Sequence, residues 1–144
     1  MPLPSEGRSN MDYRIVEGAE NMRVAEVVRL LRMTYWADRR PVETVERSMA
    51  RSACFGVRLA GSDELVAFAR VISDEATTFY LCDVVVDPAC RGRGLGTALV
   101  SHVVSRPIYA HLRGLLITRD AHGLYRPFGF EVVNDRVMVK APKG

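Results

Sequence analysis

Residues 84–99 read VVVDPACRGRGLGTAL, and no other stretch of the chain says as much about its architecture. Three valines lead into an Asp-Pro turn, three alternating glycines follow (Gly92, Gly94, Gly96), and an apolar helical pattern begins at once. Glycines at this spacing let several backbone N–H groups face one concave surface, with no Cβ atom in the way. The first N–H groups of the helix and the positive end of its dipole point to the same place. This pattern predicts an anion site, and a diphosphate fits it best.

The residues around these glycines exclude two other phosphate-binding motifs. A dinucleotide-binding fingerprint needs glycine at position 97, which is Thr97, and an early βαβ unit, which the pattern lacks. A P-loop needs a lysine directly after its last glycine, and no lysine occurs before Lys140. The loop therefore belongs to neither motif.

The composition predicts one soluble domain in a reducing compartment. The chain has 144 residues, of which 48% are hydrophobic and 26% are charged, a mixture that argues against extensive disorder. No apolar run approaches the roughly 20 residues that a membrane helix requires, so no membrane association is expected. Three cysteines at irregular spacing predict neither a disulfide framework nor a zinc site. The first residues lack the features of a secretory signal, so the cytoplasm is the expected location.

The basic residues are unusual in kind rather than in number. All but two of the 20 basic residues are arginines, and the formal net charge is only +3. Arginine suits phosphate and carboxylate ligands, but a genome with arginine-rich codon usage explains the same bias. The 17 acidic residues are scattered, and no basic run is interleaved with aromatic residues, so nucleic-acid binding is not expected.

Hydrophobic periodicity predicts a single α+β domain over residues 11–144, preceded by a flexible polar leader over residues 1–10. The predicted strands are 13–18, 54–59, 65–72, 77–86 and 115–118, followed by a final hairpin of 130–133 and 136–139. The predicted helices are 24–31 with Asn21 as its cap, then 42–49, 97–104 and 121–128. Strands surround and interrupt the helices, and no internal repeat or linker is present.

Two motifs in this order resemble those of the GNAT superfamily of N-acetyltransferases. The first is RxxGxG at residues 91–96, after the valine-rich strand, and the second is AxxxYxxxGF at residues 121–130. The order of predicted elements also matches, so the resemblance covers residues 13–140. It implies a GNAT-type, α/β sandwich-like fold, in which a mixed, mostly antiparallel sheet is flanked by about four helices and is splayed at an acetyl-CoA site.

By this resemblance, acetyl-CoA is the expected co-substrate, and no metal is involved. The residues whose backbone amides would hold its pyrophosphate are Arg91, Gly92, Arg93, Gly94, Leu95, Gly96 and Thr97. The residues whose backbone would pair with the pantetheine arm, like an added strand, are Val84, Val85 and Val86. Thr118 stands where many members carry asparagine, so the chain departs from the family pattern at a contact to the cofactor arm.

Acyl transfer to an amine needs an uncharged amine, a polarised carbonyl and a proton for the departing thiolate. Tyr125 can supply this proton, because a phenol has a pKa of about 10, above the roughly 8.5 of a thiol. Ala121, four residues earlier on the same helix face, would leave room beside the phenol. A half-buried core tyrosine is the alternative. By resemblance, the backbone N–H of Val84 or Val85 would polarise the carbonyl.

Asp83 interrupts an otherwise apolar strand pattern, and its role stays open at this point. A buried carboxylate is costly unless it is paired or functional. As a catalytic residue, Asp83 would receive the amine proton or bind a cationic acceptor. As a structural residue, it would pair with an arginine on a neighbouring strand, such as Arg70.

The segment YWADRR at residues 35–40 joins the first two predicted helices and, by resemblance, borders the acceptor pocket. Trp36 and Arg40 are therefore expected to bind the substrate, although a core position would explain Trp36 as well. The arginines of this segment would attract an acidic acceptor, whereas its aspartate and Asp83 would attract a basic one. The sequence alone does not indicate whether the acceptor is acidic or basic.

The expected function is transfer of an acetyl group from acetyl-CoA to a primary amine of a small molecule or a peptide. Direct attack in a ternary complex is expected, because no activated nucleophile is apparent. The alternatives are a non-catalytic acyl-CoA-binding or sensing module and, less well supported, a nucleotide-binding oxidoreductase. Transfer of a longer acyl chain is a further alternative, because the spacing of the motifs does not show how deep the acyl pocket is. A homodimer is among the assemblies to be expected for such a domain.

Overall fold

The computed structural model describes residues 12–143, and the predicted leader lies outside the described residues. The strands are β1 (Tyr13–Glu17), β2 (Ala53–Leu59), β3 (Leu65–Ser73), β4 (Thr78–Val86) and β5 (Arg113–Leu115). The helices are α1 (Val24–Leu31), α2 (Val42–Ala50), α3 (Leu95–Val104) and α4 (His122–Tyr125), with single 3₁₀ turns at Ala19–Asn21, Pro88–Cys90 and Arg126–Phe128. Within this described part, no helix has the length and hydrophobicity needed to cross a bilayer.

The five strands form one sheet in the order β1-β2-β3-β4-β5. Strands β1 to β4 pair antiparallel with their neighbours, and β5 pairs parallel with β4. This pairing confirms the mixed, mostly antiparallel sheet. The parallel pair is short, because it joins only residues 78–80 of β4 to β5. From residue 81 onward, β4 keeps β3 on one side only, and this is the predicted splay of the sheet.

β4 is irregular at Asp83, which the sequence did not predict. Phe68 of β3 lies opposite Val85, whereas Arg70 lies opposite Cys82, so β4 contains one extra residue between these pairs. Asp83 has a φ of +56°, in the left-handed region that side chains rarely adopt. This geometry is a β-bulge, which bends a strand and often lies beside a functional site.

Helices cover both faces of the sheet and give the sandwich-like arrangement expected from the resemblance. One face carries α3, whose buried residues pack with the side chains of β2, β3 and β4. The opposite face carries α1 and α2, whose buried residues pack around Phe68. The residues that α1 and α2 bury are Val27, Leu30, Leu31, Val45 and Met49. Burial of each such side chain contributes roughly 1.5–3 kcal/mol before entropy is counted.

The N-terminus of α1 differs from its prediction. Asn21 does not cap the helix, because its side-chain amide donates instead to the carbonyl of Glu17, at 2.6 Å. Arg23 is the capping position, and its backbone N–H donates to the carboxylate of Glu26, at 2.9 Å. The helix therefore starts as predicted but is capped by a residue inside it.

The strand predicted at 115–118 begins two residues earlier and is shorter, and the predicted final hairpin is wrong. β5 ends at Leu115, and residues 130–143 contain no strand. Gly114 explains the position of β5, since an added Cβ would lie 2.5 Å from the Phe79 ring, so only glycine allows this close approach. Residues 131–143 are all exposed, with Met138 at 96%. Alternating apolar residues form a strand only when they pair with a partner edge, and residues 130–143 pair with none of the described strands.

Candidate active site

A cavity of about 990 Å³ lies where the ends of β4 and β5 diverge. Its size is typical of sites for small molecules and cofactors. It is lined by β4, by the loop that contains the alternating glycines (residues 91–96, the glycine loop), and by α4. Of the predicted cofactor-binding residues, all line the cavity except Arg93. The sequence motif therefore identified one wall of the cavity.

The glycine loop has the backbone geometry that the motif predicts. Gly92 and Gly94 have φ angles of +79° and +81°, in the left-handed region that favours glycine. A Cβ at either position would meet no other atom within 4 Å, so the requirement is conformational and the concave surface beside the loop is open. Gly94 is the N-cap of α3, whose first N–H groups have no partner within the helix. The loop can therefore hold an anionic group through its backbone.

The turn that precedes the glycine loop is fixed by an ion pair that sequence reasoning missed. Asp87 accepts a hydrogen bond from the backbone N–H of Ala89, at 3.0 Å. Arg29 of α1 donates to the other Asp87 oxygen at 3.0 Å and to the carbonyl of Leu65 at 2.8 Å. The Ala89 N–H and then Arg29 hold the pKa of Asp87 below its usual value. The Asp-Pro dipeptide signalled the turn, but nothing in the sequence indicated its arginine partner.

Tyr125, the predicted general acid, lies in α4 and lines the cavity. Its side chain is only 8% exposed, and its ring packs edge-on against Phe130 with centroids 6.1 Å apart. Burial raises its pKa to about 12, so the hydroxyl is protonated at neutral pH. Residues 12–143 offer that hydroxyl no hydrogen-bond partner. Tyr125 is thus a core residue and also has a proton available to a ligand.

Thr118 and Ala121 lie in the segment before α4, and both line the cavity. The hydroxyl of Thr118 accepts a hydrogen bond from the backbone N–H of Ala121, at 2.9 Å. This bond shapes the chain as it enters α4. The threonine that departs from the family motif is therefore engaged with the protein's own backbone.

Asp83 is 6% exposed and accepts three hydrogen bonds. Trp36 Nε1 donates to Oδ1 at 3.1 Å, while Arg40 Nη1 and Arg70 Nε donate to Oδ2 at 2.8 and 2.9 Å. Burial alone would raise the pKa of Asp83, but the two arginines outweigh it and hold the pKa below its usual value. Pairing with Arg70, which the sequence left as an alternative, is therefore present in the structure.

Trp36 and Arg40, the predicted substrate-binding residues, both line the cavity. Trp36 is 44% exposed, so the alternative of a core tryptophan is wrong. Tyr35 packs edge-on against Trp36 with centroids 5.1 Å apart, and the guanidinium of Arg119 lies 3.7 Å above the Tyr35 ring. This contact connects the segment after α1 with the segment after β5. Sequence reasoning missed Arg119, because its partner is 84 residues away.

The described residues contain neither a cluster of metal ligands nor an activated thiol. No group of three or more His, Cys, Asp or Glu side chains in residues 12–143 is arranged to hold a metal ion. Cys82 lines the cavity, but burial raises its pKa to about 11, so it is a thiol at neutral pH. A protonated thiol is a poor nucleophile.

Comparison with family models matches residues 51–132 to the acetyltransferase (GNAT) domain. The match covers more than half of the chain and includes β2 to β5, the glycine loop and Tyr125.

Two plant proteins are similar in sequence to part of the chain. Serotonin N-acetyltransferase 2, chloroplastic, from Oryza sativa subsp. japonica is 32% identical over 109 residues, which is 69% of this chain and 52% of that protein. Histone acetyltransferase TAP1 from Glycine max is 33% identical over 69 residues, which is 46% of this chain and 30% of that protein. The chain thus spans about half the length of the rice relative and less than a third of the soybean one.

Solved structures share the fold over nearly the whole chain. A GNAT-family protein from Xanthomonas campestris pv. campestris is 38% identical, with a TM-score of 0.83 over 91% of this chain and 94% of that chain. A predicted acetyltransferase from Clostridium acetobutylicum, solved with acetyl-CoA, has a TM-score of 0.68 over 90% and 96% of the two chains. At 12% identity, the second comparison shows the fold alone. With its glycine loop, its splayed sheet and these matches, the chain belongs to the GNAT acetyltransferase family.

Proposed function

We propose that this chain transfers the acetyl group of acetyl-CoA to a primary amine of a small molecule or a peptide, by direct attack within a ternary complex. The observation that carries the proposal is that one cavity is lined both by the glycine loop and by Tyr125. The first of these suits an anionic carrier, and the second offers a proton. A domain that only bound acyl-CoA would need the loop and a core side chain at position 125, but it would not need a hydroxyl on that side chain.

The residues along the cavity fit acetyl-CoA. Gly92 and Gly94 leave a side-chain-free surface for a pyrophosphate, and the free N–H groups at the start of α3 face the same region. Residues 81–86 of β4 have no strand partner on the β5 side, so their backbone is available to the pantetheine amides. The acetyl-CoA in the Clostridium acetobutylicum protein of the same fold supports this assignment. When bound, acetyl-CoA supplies the activated acetyl group.

Tyr125 acts as the general acid in this proposal. As the amine nitrogen bonds to the carbonyl carbon and the carbon–sulfur bond breaks, the phenol donates its proton to the sulfur. Its pKa of about 12 lies far above that of a thiol, so the phenol is protonated when the proton is needed. The backbone N–H of Val84 or Val85, just after the bulge, is the proposed donor to the carbonyl oxygen. The amine enters uncharged and loses its surplus proton to solvent, and solvent returns a proton to the Tyr125 phenolate before the next turnover.

For Asp83 we favour the paired alternative over proton acceptance. Two guanidinium groups and an indole N–H stabilise its ionised form, which makes the carboxylate a weaker base. Its role in the proposal is to position Trp36 and Arg40 at the cavity. Transfer of the amine proton to Asp83 stays a prediction from the sequence.

The acceptor class follows from the wall of the cavity and from the relatives' names. Trp36 and Tyr35 are both exposed and line the cavity, which suits an aromatic acceptor body. The rice relative is named a serotonin N-acetyltransferase, and the soybean relative a histone acetyltransferase. Arylalkylamines and lysine-containing peptides are therefore the first acceptors to test.

The test is an acceptor screen with purified protein, saturating acetyl-CoA and detection of free thiol, followed by mass spectrometry of the products. We expect thiol release that depends on the amine, together with an acetylated amine. If acetyl-CoA binds saturably but no amine accelerates thiol release, the chain is a binding or sensing module and the proposal is wrong.

A further inference from the structure

Positive charge exceeds negative charge on the acceptor side of the cavity. Trp36, Arg40, Arg70 and Asp83 form a connected cluster there, which we call the arginine pocket. It contains two guanidinium groups and one carboxylate. Asp120 is the other acidic residue that lines the cavity, but its side chain is exposed and lies 3.7 Å from Arg119. The arginine pocket therefore has a net charge of +1.

Asp83 has little capacity left to attract a cationic acceptor. One of its oxygens accepts from Trp36, and the other accepts from both arginines. An ammonium group entering the pocket would approach two guanidinium groups, and these would repel it. The aspartate that the sequence offered as a site for a basic acceptor is thus neutralised within the protein.

The arginines, by contrast, retain unused donors. Arg40 uses only Nη1, and Arg70 uses Nε on Asp83 and Nη1 on the Ser52 hydroxyl, at 2.9 Å. Nε and Nη2 of Arg40 and Nη2 of Arg70 have no acceptor within residues 12–143. The side chains are only 23% and 12% exposed, but none of these three nitrogens is sealed from solvent, so a ligand in the cavity can reach them. A planar guanidinium with two free N–H groups suits a carboxylate, which can accept both.

We infer that the acceptor is an amine that also carries a carboxylate, and that Arg40, backed by Arg70, binds this carboxylate. The inference rests on the proposed acetyl transfer and narrows its substrate class. The aromatic wall at Trp36 would contact the apolar body of the acceptor. Of the acceptor classes named above, arylalkylamines without a carboxylate and basic lysine-containing peptides are thereby disfavoured, as are diamines, because they bring positive charge to a positive pocket.

The test compares amines that differ only in the carboxylate. L-Tryptophan and tryptamine differ by a carboxylate on the carbon that bears the amine. 6-Aminohexanoate and hexylamine differ by one at the far end of the chain. For each pair, the readout is the ratio of kcat/KM with the carboxylate to kcat/KM without it, measured on one enzyme preparation. We expect a ratio of about ten or more in at least one pair, the preference that roughly 1.4 kcal/mol produces.

Variants of Arg40 test whether the arginine pocket causes the preference for carboxylated amines. Arg40→Met should bring the ratio close to one, mainly through a higher KM for the carboxylated amine, whatever happens to the absolute rate. Arg40→Lys keeps the positive charge but loses the paired N–H donors of the guanidinium, and it should retain part of the preference for the carboxylated amine. Arg39→Met is the matched control, because Arg39 is exposed and does not line the cavity. This control removes the same charge one residue away and should leave the ratio unchanged.

Binding of the products gives a readout that does not need turnover. Titration calorimetry in the presence of coenzyme A should show tighter binding of N-acetyl-L-tryptophan or 6-acetamidohexanoate than of its uncharged partner, and Arg40→Met should abolish the difference. The inference is overturned if, in both pairs, the member without the carboxylate is acetylated as fast or its product is bound as tightly, or if Arg39→Met and Arg40→Met have equal effects. Acetylation without any carboxylate preference would refute this inference alone. Binding preference without acetylation of any amine would refute only the proposed transfer.

Discussion

The ring and the hydroxyl of Tyr125 have different roles. Tyr125 is part of the core on the α3 face of the sheet and also lines the cavity, and its hydroxyl has no hydrogen-bond partner among the described residues. Burial raises its pKa to about 12, so ionisation of this phenol should not limit activity at neutral or mildly alkaline pH. One residue can therefore stabilise the fold and supply a proton.

Replacing Tyr125 with phenylalanine separates these roles, since the ring stays and the proton source is lost. We expect kcat to fall about 100-fold, within the usual range for a general acid, while KM for acetyl-CoA changes little. Steady-state kinetics by thiol release measures both. Tyr109→Phe is the control, because Tyr109 is a buried tyrosine of the same core that does not line the cavity. Equal kcat values for wild type and Tyr125→Phe would remove Tyr125 from the chemistry.

Single residues differ in how far the sequence could predict them. The glycine loop and Tyr125 were predictable, because their motifs are local and have a backbone requirement. Asp83 was found as an anomaly but not resolved, because its partners Trp36 and Arg40 lie more than 40 residues away. Its position also depends on a β-bulge, and no periodicity indicates an extra residue in a strand.

At the scale of elements, α1 is joined to the sheet by a nearly buried ion pair. Arg58 of β2 donates from both terminal nitrogens to the two oxygens of Glu26, at 2.9 and 2.8 Å. The same nitrogens also donate to the carbonyls of Asp63 and Asn21. The hydrogen bonds from Arg58 outweigh the effect of burial and lower the pKa of Glu26 to about 2. This pair positions the helix that precedes the segment containing Trp36.

Glu26→Gln should destabilise the protein in a pH-dependent way. At pH 7 we expect a loss of roughly 2–3 kcal/mol in the free energy of unfolding. Because the pKa of Glu26 is lower in the folded state, its contribution is complete above about pH 4.5 and is lost as the pH falls toward 2. The difference between wild type and variant should shrink over that range. Urea unfolding at several pH values measures it.

Glu46→Gln is the control for this prediction, since Glu46 is exposed on α2 and has no ion pair within residues 12–143. It should change the free energy of unfolding by less than about 0.5 kcal/mol at every pH. A destabilisation by Glu26→Gln that is the same at pH 2.5 and pH 7 would contradict the proposed cause.

Elements were predictable where local chemistry specifies both partners. The β2–β3 hairpin follows from alternation on both sides of one turn, and both strands are as expected apart from their ends. The sequence of the predicted final hairpin has the same alternation of apolar and polar residues on both sides of a turn. In the structure, however, residues 131–143 are exposed and pair with no described strand, while β5 itself ends at Leu115. Whether residues 131–143 pair as strands therefore depends on the arrangement of the whole sheet and not on their own sequence pattern.

At the scale of the molecule, the cavity exists because two neighbouring strands separate. The bulge at Asp83 and the three-residue pairing of β5 together leave the end of β4 open on one side. The segment after α1 supplies Trp36 and Arg40 of the arginine pocket, and the glycine loop before α3 supplies the anion site. The proposed reaction joins these two surfaces across β4. The proposed reaction requires first that the glycine loop binds acetyl-CoA.

Calorimetric titration of acetyl-CoA into wild type, Gly94→Val and Gly61→Val tests this most directly. Gly94 needs its positive φ and borders the cavity, whereas Gly61 lies in the β2–β3 turn with open space around it and no such φ. We predict saturable 1:1 binding by wild type, weakened by about tenfold or more in Gly94→Val, the equivalent of at least 1.4 kcal/mol, and unchanged in Gly61→Val. Absence of binding at millimolar acetyl-CoA, or equal affinity in wild type and Gly94→Val, would contradict the account.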